Sequence, residues 1–208
     1  MPSTLVHVAF GGFVAAGLLG SYFDRRSVLV VLAAAALPDV DSFLAIVLTG
    51  THRALLHNLV LPGLVAGVLV VHRRRPITAL TDRLDARTTR IAWVAVAAFV
   101  FGGVAPDLVT NGVNPLYPVV DRYVTLDGHV LISSTRGFVQ SFVELHPESN
   151  TVGGTTADTF YYTGVDATRG SEPEQVERIF PVVNSGMQAL VVVLSGFVLG
   201  GRFRERAE

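Results

Sequence analysis

The chain contains no cysteine and no lysine, and few charged residues of any kind. Without cysteine, neither a disulfide framework nor a thiolate metal site can form, so histidine nitrogen and carboxylate oxygen are the ligands left for a metal ion. Charged residues make up 16% of the chain and hydrophobic residues 50%, with a mean hydropathy of +0.49. Because a soluble domain carries about 25% charged residues, this composition favours a membrane protein. The net charge of −1 argues against a nucleic-acid partner.

Five apolar stretches are each about 17–20 residues long, close to the length that a helix needs to cross about 30 Å of hydrocarbon. The sequence therefore predicts an all-α polytopic membrane protein with five transmembrane helices, at 5–23, 28–47, 55–71, 91–108 and 180–199. No basic residue precedes the first stretch, so we interpret it as a retained helix and not as a cleaved signal. The second stretch is interrupted by "PDVDSF". It is either a full span with an acidic break or a shorter helix that ends at Pro38.

The arginines predict the orientation of these helices. Eleven of the sixteen fall in three segments that alternating spans place on one side of the membrane: Arg25 and Arg26; Arg73, Arg74, Arg75, Arg83, Arg87 and Arg90; and Arg202, Arg204 and Arg206. By the positive-inside rule this side is cytoplasmic. We therefore expect a multi-pass protein of the plasma membrane, with its N-terminus outside and its C-terminus in the cytoplasm.

The chain is expected to have three parts. Residues 1–110 form a four-helix membrane domain, residues 111–179 an extracytoplasmic cap, and residues 180–208 a C-terminal transmembrane helix with a basic cytoplasmic tail. The middle part is polar and joins turn signals to short β-prone runs such as "HVLISS" and "TFYYTGV". It therefore predicts a small β-containing segment.

Several ionisable residues lie within or at the edges of the apolar stretches. An Asp at the centre of a membrane helix costs roughly 2.5–3.5 kcal/mol on insertion scales, so such residues are rare and usually functional. When the spans are threaded by their arginines, six of these residues come to one layer near the outer face: His7, Asp39, Asp41, His52, His57 and Asp107. This convergence is the main indication of function.

Imidazole and carboxylate together suit a divalent ion, zinc first, with manganese and iron as alternatives. We predict His7, Asp39, His57 and Asp107 as metal ligands, with His52 next, and Asp41 and Arg53 as catalytic residues. Metal-activated water would be the nucleophile. Arg53 would bind an anionic group of the substrate by a bidentate contact.

Each of these residues also has a plainer interpretation. His7 can be an interfacial polar residue, "PDVD" a turn, His52 and Arg53 a solvated loop pair, and Asp107 part of a turn at a helix end. The loop histidines His129 and His146 are weaker ligand candidates. His72, beside three arginines, is expected on the cytoplasmic surface.

Four sequence elements resemble those of a known family: His7 in "STLVHVAFG", then "LPDVDSF", "HRALLHNL" and "APDLVTNGVNPLYP". Over about the first 120 residues the chain is similar to the YdjM-type family of membrane proteins, which are predicted metal-dependent hydrolases. The later "STRGFVQSFVEL" resembles the outer segment of archaeal, particularly haloarchaeal, members. The family is distantly similar to the zinc-dependent phospholipase C group. That resemblance implies hydrolysis of a phosphoester, with a membrane lipid as a possible substrate.

The chain departs from the family pattern at Gly103, where the family has the His of a His-x-x-x-Asp element that ends at Asp107. Leu56 and Asn58 also replace two polar residues of the family's "HRxxTHS". The loss of one imidazole leaves open two alternatives, a metal-dependent hydrolase and a scaffold or binding protein that has lost catalysis. Intramembrane Asp and His residues are also typical of a third class, an ion or proton transporter. The sequence leaves the oligomeric state open.

Overall fold

The computed structural model describes residues 2–45, 47–48, 50–75, 84–126, 128, 130–141, 154–157 and 182–208. Within these residues the fold is mostly helical, with one small antiparallel sheet. The helices are α1 (Thr4–Leu18), α2 (Arg25–Ala36), α3 (Val40–Leu44), α4 (Val60–Arg74), α5 (Ala86–Ala98), α6 (Ala105–Leu108) and α7 (Gly186–Glu205). The strands are β1 (Val130–Ser133) and β2 (Gly137–Gln140).

Three helical stretches are long and apolar enough to cross a membrane: Arg25–Leu44, Ala86–Leu108 and Gly186–Glu205. The apolar helix α1 is shorter, with 15 residues, and α4 also has 15. At 1.5 Å per residue, 15 residues span about 22 Å, less than the roughly 30 Å of hydrocarbon. The described residues thus confirm an apolar helical protein, whereas five full spans stay a prediction.

The acidic break in the second predicted span does not end the helix. Leu37–Asp39 form a 3-10 turn that links α2 to α3, so the helical path runs from Arg25 to Leu44. Pro38 lies in the first turn of this 3-10 segment, where its missing N–H costs no hydrogen bond. The structure therefore agrees with the first of the two alternatives, one long helical stretch with an acidic break, and not with a helix that ends at Pro38.

The third predicted span, 55–71, begins too early. Residues 55–59 are irregular, and the helix starts only at Val60. The side-chain oxygen of Asn58 accepts a hydrogen bond from the backbone N–H of Leu61, and its amide donates to the carbonyls of Ala54 and Leu55. Asn58 thus satisfies backbone groups at the helix start, which hydrophobicity alone could not indicate.

Helix α1 packs closely against α2 and α7. A Cβ at Gly11 would lie only 2.7 Å from Ala35 Cβ, so glycine is needed for this approach of α1 to α2. On the other side of α1, buried Ser195 donates a hydrogen bond of 2.7 Å to the carbonyl of Ala9. The core between these helices is aliphatic and aromatic, with Leu19, Phe23, Val31 and Ala98 among its fully packed members.

Arginines gather at one end of the helices. Arg87 forms an ion pair with Asp24, Arg90 donates to the carbonyl of Leu18, and Arg206 donates to the carbonyl of Gly20. The backbone N–H of Ser27 and the Arg87 guanidinium lower the pKa of Asp24 to about 2. These contacts bring the ends of α1, α2, α5 and α7 together, whereas the alternation of five spans stays a prediction. Which side of the membrane this end faces stays a prediction.

A segment after α6 lies across the loop that precedes α4. The backbone N–H of Asn114 donates to the carbonyl of Arg53 (2.8 Å), and that of Leu59 donates to the carbonyl of Pro115 (2.8 Å). Tyr123 adds a hydrogen bond from its hydroxyl to the carbonyl of His52, 2.7 Å long. We call residues 111–126 the covering segment. It fixes a loop that has no regular structure of its own.

Candidate metal centre

Four side chains from four parts of the chain meet at one end of the helices, opposite the end where Arg87, Arg90 and Arg206 gather. Their ligand atoms, on His7, Asp39, His57 and Asp107, all lie within 4.8 Å of one another. His7 Nε2 is 3.5 Å from Asp39 Oδ1 and 3.4 Å from Asp107 Oδ2. His57 Nε2 is 3.5 Å and 2.9 Å from the same two oxygens. We call these four residues the ligand cluster.

His7 is oriented by a backbone carbonyl. Its Nδ1 lies 2.8 Å from the carbonyl oxygen of Gly102, which fits an Nδ1–H donor and leaves the Nε2 lone pair directed at the carboxylates. Gly102 belongs to the π-helical turn Phe99–Val104, which follows α5. A Cβ at Gly102 would lie 3.1 Å from the backbone nitrogen of Gly11, so glycine lets the two helices approach closely.

His57 is oriented by a carboxylate. Asp41 Oδ2 lies 3.0 Å from His57 Nδ1 and also accepts a hydrogen bond from the backbone N–H of Leu56. Both side chains are completely buried. A carboxylate behind the imidazole is the usual way in which proteins fix the tautomer of a metal-binding histidine.

Asp107 is held by Arg53. The guanidinium donates a 2.8 Å hydrogen bond to Asp107 Oδ1, which leaves Oδ2 facing both imidazoles. The two side chains are 1% and 2% exposed. Arg53 has a φ of +60°, a left-handed backbone conformation that is uncommon outside glycine and is often found at functional sites.

Asp39 is the exposed member of the cluster. Its side chain is 22% exposed, whereas those of His7, His57 and Asp107 are at most 2% exposed. Thr4 donates a hydrogen bond to Oδ2 of Asp39, so that Oδ1 is the oxygen directed at the imidazoles. The site therefore opens on the side of Asp39.

The arrangement fits a divalent metal ion. Tetrahedral zinc with ligands at about 2.0–2.1 Å keeps its ligand atoms about 3.3–3.4 Å apart. Three of the four distances between a histidine nitrogen and a carboxylate oxygen are 3.4–3.5 Å, and all of the ligand atoms lie within 4.8 Å of one another. The Nε2 atoms of His7 and His57 are buried and make no hydrogen bond within the described residues.

The charge of the cluster is compatible with a divalent ion. With neutral imidazoles, the form that binds a metal, the carboxylates of Asp39, Asp41 and Asp107 outweigh Arg53 by two negative charges, which a divalent cation would balance. Burial of unpaired charges is costly, so a bound cation would stabilise the form with neutral imidazoles.

The other predicted ligands lie outside the cluster. His52 is buried beside it, with its ring centre 6.4 Å from that of His57. His72 lies in the last turn of α4 and is partly exposed. His129 and His146 fall outside the described residues, so their part in the site stays a prediction.

Gly103 has no room for a side chain. A Cβ there would lie 2.6 Å from Pro38 Cγ and 2.9 Å from the carbonyl oxygen of Ala35. A histidine at this position would push the π-helical turn away from the residues that carry Asp39. In this chain Gly103 is a close packing contact with Pro38 and Ala35. The four ligand atoms of the cluster lie together without a histidine at this position.

We therefore expect Gly103→Ala to lower the free energy of unfolding by about 1–3 kcal/mol, the usual cost of overpacking. Gly63→Ala on α4 is the matched control, because nothing lies within 4 Å of a Cβ at Gly63 and alanine is the better helix former. Thermal unfolding of both variants in detergent measures the difference. An unchanged melting temperature for Gly103→Ala would contradict the packing role.

Sequence reasoning missed how the ligands are oriented. The carbonyl of Gly102 depends on the π-helical turn, and no pattern in "FVFGGV" signals such a turn. Asp41 was predicted as a catalytic residue, and its pairing with His57 could not be inferred from the sequence.

The fold and the site together define the class, a helical membrane protein with a buried His/Asp cluster that can hold a metal ion. Residues 1–171 match the YdjM inner membrane protein family, and the chain belongs to that family. The match contains the whole ligand cluster and the covering segment. No curated protein and no solved structure gives a significant match.

Proposed function

We propose that this protein is a membrane-embedded metal-dependent hydrolase that acts on a phosphoester or lipid-like substrate near the outer membrane face. The observation that carries the proposal is the pair of buried Nε2 atoms, each oriented from behind and each facing the same two carboxylate oxygens. A divalent ion held there, zinc or else manganese or iron, supplies Lewis acidity and lowers the pKa of bound water.

The residues of the chain would divide the work between them. His7, His57, Asp39 and Asp107 hold the ion, and the exposed side of Asp39 gives the substrate access. Asp41 acts through His57, whose ring it fixes. We assign Arg53 to the positioning of Asp107, because a guanidinium that is 1% exposed has little surface for the substrate contact that the sequence predicted.

The location of the cluster supports a substrate from the membrane. Its members come from the first residues of α1 and from the final turns of the Arg25–Leu44 and Ala86–Leu108 stretches, so they lie near helix ends. A cluster at this depth can meet the headgroup layer, which is where the phosphoester bonds of lipids lie.

The second candidate function is that of a binding or scaffold protein that has kept the metal site and lost catalysis. The observation in its favour is Gly103, where the family histidine is absent and a side chain does not fit. A transporter is less well supported. A transport path needs ionisable side chains across the whole depth of the membrane. Within the described residues, the buried ionisable side chains all lie at one end: His7, Asp41, His52, Arg53, His57 and Asp107.

One experiment separates these functions. The full chain, purified in detergent and loaded with zinc, manganese or iron, is expected to hydrolyse a chromogenic phosphodiester or a phospholipid in mixed micelles. Activity is expected to disappear with His7→Ala. Bound metal without hydrolysis would favour the binding or scaffold protein, and the absence of any bound metal would contradict the hydrolase.

A further inference from the structure

A second feature that the proposed function does not use lies at the opposite end of the molecule. A cavity of about 660 Å³ lies beside the starts of α2 and α5, lined by Asp24, Arg25, Arg26, Ser27, Val30, Arg87 and Ile91. We call this cavity the arginine pocket. The arginine pocket shares no residue with the ligand cluster. The positive-inside rule accounts for arginines on one side of a membrane, but it does not explain why they line a cavity.

The charges in the arginine pocket are unbalanced. Asp24 is occupied by Arg87 and by the backbone N–H of Ser27, which also caps the start of α2. Arg25 and Arg26 are exposed and form no ion pair within the described residues. Among the residues that the structure describes, two guanidinium groups in one cavity thus have no counter-charge, and guanidinium groups suit the binding of an anion such as phosphate.

The pocket also has an apolar side. Val30 is 49% exposed, one turn further along α2 than Arg26, and Ile91 contributes the facing surface of α5. Leu29, beside Val30, is 65% exposed. A small inorganic anion would use the guanidinium groups alone, whereas a molecule with a charged head and a hydrocarbon chain would use both surfaces.

We propose that the arginine pocket binds the phosphate headgroup of an anionic phospholipid, with an acyl chain along Val30 and Ile91. Arg25 and Arg26 contact the phosphate, and Arg87 is held between the lipid and Asp24. Basic pockets between transmembrane helices are suited to acidic lipid headgroups, and guanidinium groups match phosphate geometry by bidentate hydrogen bonds. The site is independent of the proposed hydrolysis.

The proposal is tested by lipid retention. The purified full chain is mixed with phosphatidylglycerol or phosphatidylcholine in detergent, and the bound lipid is counted by native mass spectrometry. The test variant is Arg25→Gln/Arg26→Gln. The matched control is Arg73→Gln/Arg74→Gln, which removes the same charge from exposed positions at the end of α4.

We expect the wild-type protein and the control to bind one phosphatidylglycerol in preference to phosphatidylcholine. The test variant is expected to bind it about thirtyfold more weakly, from roughly fivefold per arginine near the surface. Thermal unfolding of both variants checks that they are folded. Equal loss of phosphatidylglycerol from the test and control variants would overturn the proposal, since it would indicate diffuse charge attraction.

A second arm separates lipid from free anion. Glycerol phosphate, which carries the headgroup charge without acyl chains, is expected to compete only at concentrations far above those of the lipid. Equal affinities for glycerol phosphate and phosphatidylglycerol would overturn the lipid assignment, because the apolar surface would then contribute nothing. Replacement of Ile91 by Ser is expected to weaken lipid binding and to leave glycerol phosphate binding unchanged.

Discussion

Purified His57→Ala protein is expected to contain no stoichiometric divalent metal, whereas the wild-type protein is expected to contain one ion per chain. The reason is geometric, because His57 Nε2 faces both carboxylate oxygens of the cluster. Removal of an orienting partner behind a ligand typically costs 10–100-fold in affinity, and removal of the ligand itself should cost more than about 100-fold. Metal content after dialysis, measured by plasma emission spectrometry, gives the result.

His52→Ala is the matched control for this experiment. His52 lies in the same loop and is also buried, but it stands outside the ligand cluster. We expect His52→Ala to retain the metal. Asp41→Asn is expected to fall between the two, with a 10–100-fold loss, because it alters the orientation of His57 and removes no ligand. Equal metal loss in the two histidine variants would contradict the assignment.

Arg53→Met is expected to have the largest effect on stability. It would leave the carboxylate of Asp107 buried at 2% exposure without its guanidinium partner. Breaking a buried pair on one side costs about 3–5 kcal/mol, which for a chain of this size lowers the melting temperature by roughly 6–20 °C. Thermal unfolding of the metal-free protein in detergent measures the change without a contribution from the ion.

Arg87→Met provides the comparison for an exposed ion pair. Arg87 and Asp24 are 44% and 41% exposed, and such pairs contribute about 0–1 kcal/mol. We therefore expect little change in its melting temperature. If Arg53→Met melted at the same temperature as Arg87→Met, the interaction of Arg53 with Asp107 would not be important for holding the site.

The sequence predicted the membership of the site better than its internal arrangement. It placed His7, Asp39, His57 and Asp107 in one layer because spacing along apolar helices determines depth, and their ligand atoms do lie together. Depth does not determine which way a side chain faces. The separation of His52 from the cluster therefore needed the coordinates, and metal binding by the four residues stays a prediction.

Backbone irregularities were the part of the fold that the sequence could not give. Hydrophobicity predicted a helix from residue 55, but polar contacts of Asn58 delay its start to Val60. The π-helical turn at Phe99–Val104 is set by the approach of two helices at Gly102 and Gly103. Such contacts join residues that are distant in sequence, and local patterns carry no information about them.

The covering segment has a consequence for how the site is made during synthesis. His7, Asp39 and His57 all emerge from the ribosome before the Gly102 carbonyl and Asp107 do. They also precede the two hydrogen bonds that hold the His57 loop, in which the Asn114 N–H donates to the loop and the Pro115 carbonyl accepts from it. When the first half of the chain has been made, the ring of His57 already has Asp41 behind it, whereas that of His7 still lacks the Gly102 carbonyl. The last carboxylate of the cluster and the segment that fixes the loop arrive together. A metal ion held by all four residues would therefore be loaded only after the Ala86–Leu108 helix is in place, and a chain truncated before it would carry polar groups with no ion to balance them.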